Sequence, residues 1–108
     1  MNTHAQLAEA AAVRRSRINA AWMEAGVRMV DPAAVYLDHD VVLSPPVELL
    51  PGVVLRSGTT VGEGSIVGPD VEAAGTTIGR RCLIRSSALE GVSVPDGSRI
   101  GPFQHLHD

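Results

Sequence analysis

Lysine is missing from this chain, and aromatic residues are nearly so, with Trp22, Tyr36 and Phe103 the full set. A core of large rings is therefore excluded. What remains is a core of Val, Leu and Ile, a composition that favours strands. Cys82 is the single cysteine, so no internal disulfide can form. The 9 basic and 12 acidic residues leave a formal charge of −3 and are scattered. No basic block follows a phosphate backbone, which argues against nucleic-acid binding. No uninterrupted apolar stretch approaches the roughly 18 residues of a membrane span. The N-terminus carries Glu9, Arg14, Arg15 and Arg17 where a signal peptide needs an apolar run. A cytoplasmic, reduced setting is expected, without membrane contact.

Residues 1 to 25 contain neither Gly nor Pro, and Thr3-His4-Ala5-Gln6 has the form of a capping box. Leu7, Ala11, Ile18, Trp22 and Ala25 recur near one face, and Gly26 supplies a left-handed stop. The reading is an amphipathic helical arm over 1–26 that docks its stripe on the rest of the chain or on a neighbour. Asp31-Pro32 marks a linker over 27–36, because the residue before a proline is pushed out of the helical region.

From Leu37 the chain is periodic. Aliphatic residues recur every six positions at Leu37, Leu43, Leu49, Leu55, Val61 and Val67, and Ala73 holds the next place. The register then slips by one and resumes at Ile78, Ile84, Leu89, Val94, Ile100 and Leu106. Two places earlier runs a second column of small or β-branched residues, from Val35 and Val41 through Thr59, Ser65, Thr76 and Cys82 to Ser87 and Ser98. An ordinary strand would sustain a period of two. A period of six instead describes a short strand, a turn and a repeat, three of which close a triangular coil. The fold expected is mainly β: a single-stranded left-handed parallel β-helix of about four coils over 37–108, behind an N-terminal α-helix. A Greek-key sandwich would need longer alternating runs and wider turn spacing. The core of so small a domain is thin, which points to an oligomer, in the first place a homotrimer.

The order of features resembles the bacterial bifunctional UDP-N-acetylglucosamine pyrophosphorylase and glucosamine-1-phosphate acetyltransferase family. The matching pieces are Asn2 with Gln6-Leu7-Ala8, Arg17-Ile18-Asn19, Ala25-Gly26-Val27, Asp31-Pro32, hexapeptides such as Val61-Gly62-Glu63-Gly64-Ser65-Ile66, and Ile100-Gly101-Pro102-Phe103. The resemblance implies the family's linker helix and first β-helix coils, between a nucleotidyltransferase domain and an acetyltransferase site. The phosphate-cradling loop and its lysine have no counterpart here. Asn2, opposite a family metal-binding Asn, is read as a helix-start residue. His107 stands where the family has a sugar-binding Arg, and the general-base histidine would lie beyond Asp108. What this implies is a non-catalytic trimeric scaffold without a cofactor, with a partner protein carrying the missing catalytic domains. The alternatives are an acetyl-CoA-dependent acyltransferase with a site shared between subunits, and a sugar-nucleotide-binding module.

No catalytic residue is assigned. Arg80, Arg81 and Arg85 form the cluster of positive charge within the repeats and are the candidate ligand-binding residues, for a phosphate or carboxylate. His105 and His107 alternate and are the candidate metal ligands, with Asp108 assisting if three copies meet at one end. Asp38-His39-Asp40 is read as solvated polar residues on a turn, and Cys82 as a buried apolar filler.

Overall fold

The computed structural model describes residues 3–108. Helix α1 spans His4–Glu24 and begins with the expected capping box. The Thr3 hydroxyl accepts from the Gln6 backbone N–H at 3.1 Å, and the Thr3 N–H donates to Gln6 Oε1 at 2.7 Å. Gly26, at φ +110°, ends the helix and turns the chain into the first strand.

The rest is a parallel β-solenoid with three faces, consistent with the left-handed β-helix. Face one stacks β1 (Val27–Met29), β4 (Val47–Leu49), β7 (Ile66–Val67), β10 (Leu83–Ile84) and β13 (Arg99–Ile100). Face two stacks β2 (Val35–Leu37), β5 (Val53–Leu55), β8 (Glu72–Ala74), β11 (Ala88–Glu90) and β14 (His105–His107). Face three holds β3 (Val42–Leu43), β6 (Thr60–Val61), β9 (Thr77–Ile78) and β12 (Ser93–Val94). The solenoid has about five turns, not the four expected. The difference lies in the segment read as a linker. Val27–Met29 pairs in register with Val47–Leu49, and Val35–Leu37 with Val53–Leu55, so strand stacking begins ten residues before Leu37. A turn of 3-10 helix at Pro32–Ala34 joins them, with the Asp31 carboxylate accepting from the Ala33 N–H at 3.2 Å. No hexapeptide register crosses this longer connection, which is why periodicity missed the first coil.

Both sequence columns point inward. Val35, Leu49, Val53, Val67, Ile84 and Leu89 are fully buried. Thr59, Ser65, Thr76 and Ser87 of the small column are buried too, and each makes hydrogen bonds. The Ser65 hydroxyl donates to the Gly79 carbonyl at 2.8 Å and accepts from the Cys82 N–H at 3.0 Å. The Ser87 hydroxyl donates to the Arg85 carbonyl and accepts from the Gln104 N–H. A hydroxyl at this position tethers one coil to the next at a corner where the backbone ladder is interrupted, and so avoids an unpaired buried donor.

The register slip has a geometric cause. Val35 sits under Val53, eighteen residues on; Thr60 under Thr77, seventeen on; Glu72 under Ala88, sixteen on. The coil shortens where a five-residue step replaces a six-residue one. Each shortened step turns on a left-handed residue, at Gly75, Ser86 and Gly91.

The helix rests on the solenoid by its second half. Ile18 and Trp22 pack against the core, and Asn19 is buried between them. Its amide nitrogen donates to the carbonyls of Pro32 at 2.9 Å and Val35 at 3.0 Å, tying the arm to the first coil. The expected stripe does not dock over its whole length: Ala11 is exposed, and Leu7 is 54% exposed. At about 1.5 Å per residue the helix is about 31 Å long, and its first half extends past the face that carries its second.

Two predictions follow from these contacts. Asn19→Asp keeps the shape but removes both donors, taking the amide partner from the buried Val35 carbonyl while the Pro32 carbonyl keeps the Val35 N–H; a loss of about 2 kcal/mol is expected in urea unfolding, and an unchanged midpoint would refute the anchor. A Cβ on Gly62 would lie 2.6 Å from the Gly79 carbonyl carbon, whereas one on Gly97 meets nothing within 4 Å. Gly62→Ala should therefore cost about 3 kcal/mol from overpacking. Gly97→Ala, strained only by its φ of +74°, should cost about 1 kcal/mol.

Candidate functional site

The arginine cluster of the sequence divides between two corners of the solenoid. Arg80 and Arg81 occupy the corner before β10, and Arg85 the corner after it, so a strand of face one separates them. Arg81 is the left-handed residue of its turn, at φ +52°. The Arg80 backbone N–H donates to the Asp96 carboxylate of the next coil at 2.8 Å. Among the described residues none of these three guanidiniums makes an ion pair. A period near six sends residues only four or five apart to successive corners.

His105 and His107 do lie together. Both project outward from β14, with ring centroids 5.3 Å apart and planes tilted by 54°. Glu90, on the neighbouring strand β11, places Oε1 3.6 Å from His105 Nε2. Among the described residues no group of three or more His, Cys, Asp or Glu side chains is arranged to hold a metal ion. Asn2 lies outside the described residues.

The acidic turn at Asp38-His39-Asp40 caps the coil above it. Asp38 accepts from the Ser57 backbone N–H at 2.8 Å. Asp40 accepts from the Ser57 hydroxyl at 2.6 Å and from the Gly58 N–H at 3.2 Å. The Ser57 hydroxyl bond, ahead of the Gly58 amide, holds the Asp40 carboxyl below its ordinary pKa. Cys82 is buried, and its thiol donates to the Pro95 carbonyl at 3.2 Å, as suits an inner filler.

Three clefts mark the surface, and no candidate residue named from the sequence for ligand or metal binding lines any of them. One, of about 700 Å³, opens where α1 diverges from face two. The helix contributes Arg14, Arg15 and Ile18; the solenoid contributes Tyr36, Val54 and Arg56. The Arg15 guanidinium lies over the Tyr36 ring, 4.7 Å from its centroid. The second, of about 320 Å³, runs along the opposite flank of the helix past Asn19 and Met23. The third, of about 500 Å³, lies open along the corner beside Asp70, Ser86 and Gln104. The first cleft gathers residues from three places in the chain. The sequence singled out several of its residues separately, Ala11 and Ile18 in the helical stripe and Asp38-His39 in the acidic turn, but no pattern joined them.

No protein-family model matches the chain. Curated relatives match it over 106 residues, 98% of its length. The bifunctional protein GlmU of Kineococcus radiotolerans is 39% identical and is covered over 22% of its own length. That of Cutibacterium acnes is 38% identical and covered over 25%, and that of Halalkalibacterium halodurans 34% and 23%. The chain is a GlmU-related hexapeptide-repeat protein. It spans about a quarter of the length of these GlmU relatives, and this is the family its motifs resemble. In the GlmU-related chain, the matched segment runs from the helical arm through the coils.

The Asp40 contact generates a pH prediction. Because the folded carboxyl titrates below its unfolded value, its stabilising contribution is present above the unfolded pKa and is lost as pH falls through the folded one. Ser57→Ala should move the Asp40 carboxyl pKa upward in an NMR titration; an unmoved value would assign the shift elsewhere.

Proposed function

We propose that this chain is a structural, trimer-forming element related to GlmU, with no catalytic site of its own. The observation that carries the reading is the mismatch between similarity and chemistry. The GlmU match covers 98% of the chain, yet the Ser57 hydroxyl and Asp40 carboxylate that meet at 2.6 Å join two exposed turns of successive coils, and among the described residues no group of three or more metal-ligating side chains forms. Cys82, the one thiol, is sealed in the core. The chemistry in this reading belongs to a partner protein bearing nucleotidyltransferase and acetyltransferase residues, in cytoplasmic UDP-N-acetylglucosamine biosynthesis. The solenoid and arm hold subunits in register.

Apolar side chains left uncovered support the oligomer. Val42 is 52% exposed on face three, and Val13 is 50% exposed on the projecting half of the arm. The outward column of face three is Val42, Thr60, Thr77 and Ser93, with no charge to oppose contact with another copy. Among the described residues no helix is long and apolar enough to cross a membrane.

Light scattering at micromolar concentration should give three times the chain mass; a monomeric mass would overturn the trimer. Acetyl-CoA with glucosamine 1-phosphate should release no thiol. Release above the rate without protein would overturn the non-catalytic reading in favour of an acyltransferase assembled between subunits.

A further inference from the structure

We propose that the cleft between α1 and face two binds an organic anion: a single carboxylate, sulfonate or phosphate group carried on an aromatic or aliphatic body. This inference does not rest on the trimer or on the absence of catalysis. The cleft, at about 700 Å³, falls within the range of small-molecule sites, which are mostly apolar with a few converging polar groups. Its lining joins the apolar surface of Ile18, Tyr36 and Val54 to the guanidiniums of Arg14, Arg15 and Arg56. Three of the nine basic residues of a chain of net charge −3 therefore border one opening.

The acids nearby offset that charge only in part. Asp38 also lines the cleft and keeps its negative charge, with its carboxylate engaged by the Ser57 amide, so the lining carries three arginines against one carboxylate. Arg56 is paired with Glu72 at 2.9 Å on one side, and both side chains are more than half exposed. Such a pair is weak and open to exchange with a better acceptor. Arg15 is held by its face on Tyr36, which leaves the in-plane N–H groups of a guanidinium for an anion. Arg14 makes no ion pair among the described residues. Guanidiniums fork onto carboxylate, sulfonate or phosphate oxygens in two parallel hydrogen bonds. The apolar part of the lining selects against a bare inorganic ion, which would gain nothing from Ile18 and Val54.

The probe that reads both halves of the site is 1-anilinonaphthalene-8-sulfonate, titrated against the full chain by fluorescence and by NMR. Saturable binding at one site is expected, with shifts at Tyr36 and Val54. The double variant Arg14→Ala/Arg56→Ala, changing two exposed residues, should weaken binding by about tenfold or more. The neutral N-phenylnaphthylamine should bind about tenfold more weakly, and inorganic phosphate should displace the sulfonate poorly. Unchanged affinity in the double variant, equal binding of the neutral arene, or displacement by equimolar phosphate would each overturn the proposal. So would a probe that moves only resonances of Leu7, Val13 or Phe103. If Tyr36 and Val54 shift on dilution of the protein and ignore the probe, the cleft is an interface between copies and the proposal fails.

Discussion

Every inward side chain in this molecule must sit on its equivalent one coil away, because strands that are only two or three residues long have no stability of their own. The backbone ladder closes only if each turn returns the chain to register, and the core fills only if the stacked residues fit the triangle. Aliphatic residues at the first column and small ones at the second meet that condition along the length of the solenoid. The same constraint converts surface chemistry into glue. Ser57 with Asp38 and Asp40, Arg80 with Asp96, and Arg56 with Glu72 all join one coil to the next. Polar residues that look like a reactive cluster along the chain are spent on holding rungs together.

The shortening of the coils belongs to the same geometry. The five-residue steps come after Ala73, where the first column returns to the buried Ile78, Ile84 and Leu89, so the shortened coils still enclose large aliphatic side chains. At the second column, Val gives way to Thr, Ser and Cys, whose hydroxyl or thiol hydrogens reach carbonyls two residues away or on a nearby turn. The small column is thus a set of corner ties as well as a filler.

The arm depends on a single polar anchor. Ile18 and Trp22 supply apolar contact, while Asn19 donates to the buried Val35 carbonyl and adds a second donor to the Pro32 carbonyl, which also accepts from the Val35 N–H. Its Oδ1 has no partner among the described residues. An anchor of this kind fixes the angle at which the helix leaves face two, and that angle opens the cleft bordered by Arg14, Arg15 and Arg56.

The sequence by itself determined the helix and its capping box, the six-residue period, the two inward columns and the place of the slip. Each is a local or nearest-coil rule: a cap needs residues three apart, and a stacked column needs a constant step. It also marked Cys82 as a filler and the Asp38-His39-Asp40 run as a turn. The first coil escaped it, because the Val27–Met29 strand meets its partner across an irregular connection rather than a repeat. The fate of charged residues escaped it as well. Arg80, Arg81 and Arg85 are neighbours in the chain and sit at two corners; Arg14, Tyr36 and Arg56 are far apart in the chain and share a cleft. Only the tertiary structure decided this, since a solenoid maps sequence distance onto corners and rungs, and the seat of the helix then selects which rungs face it.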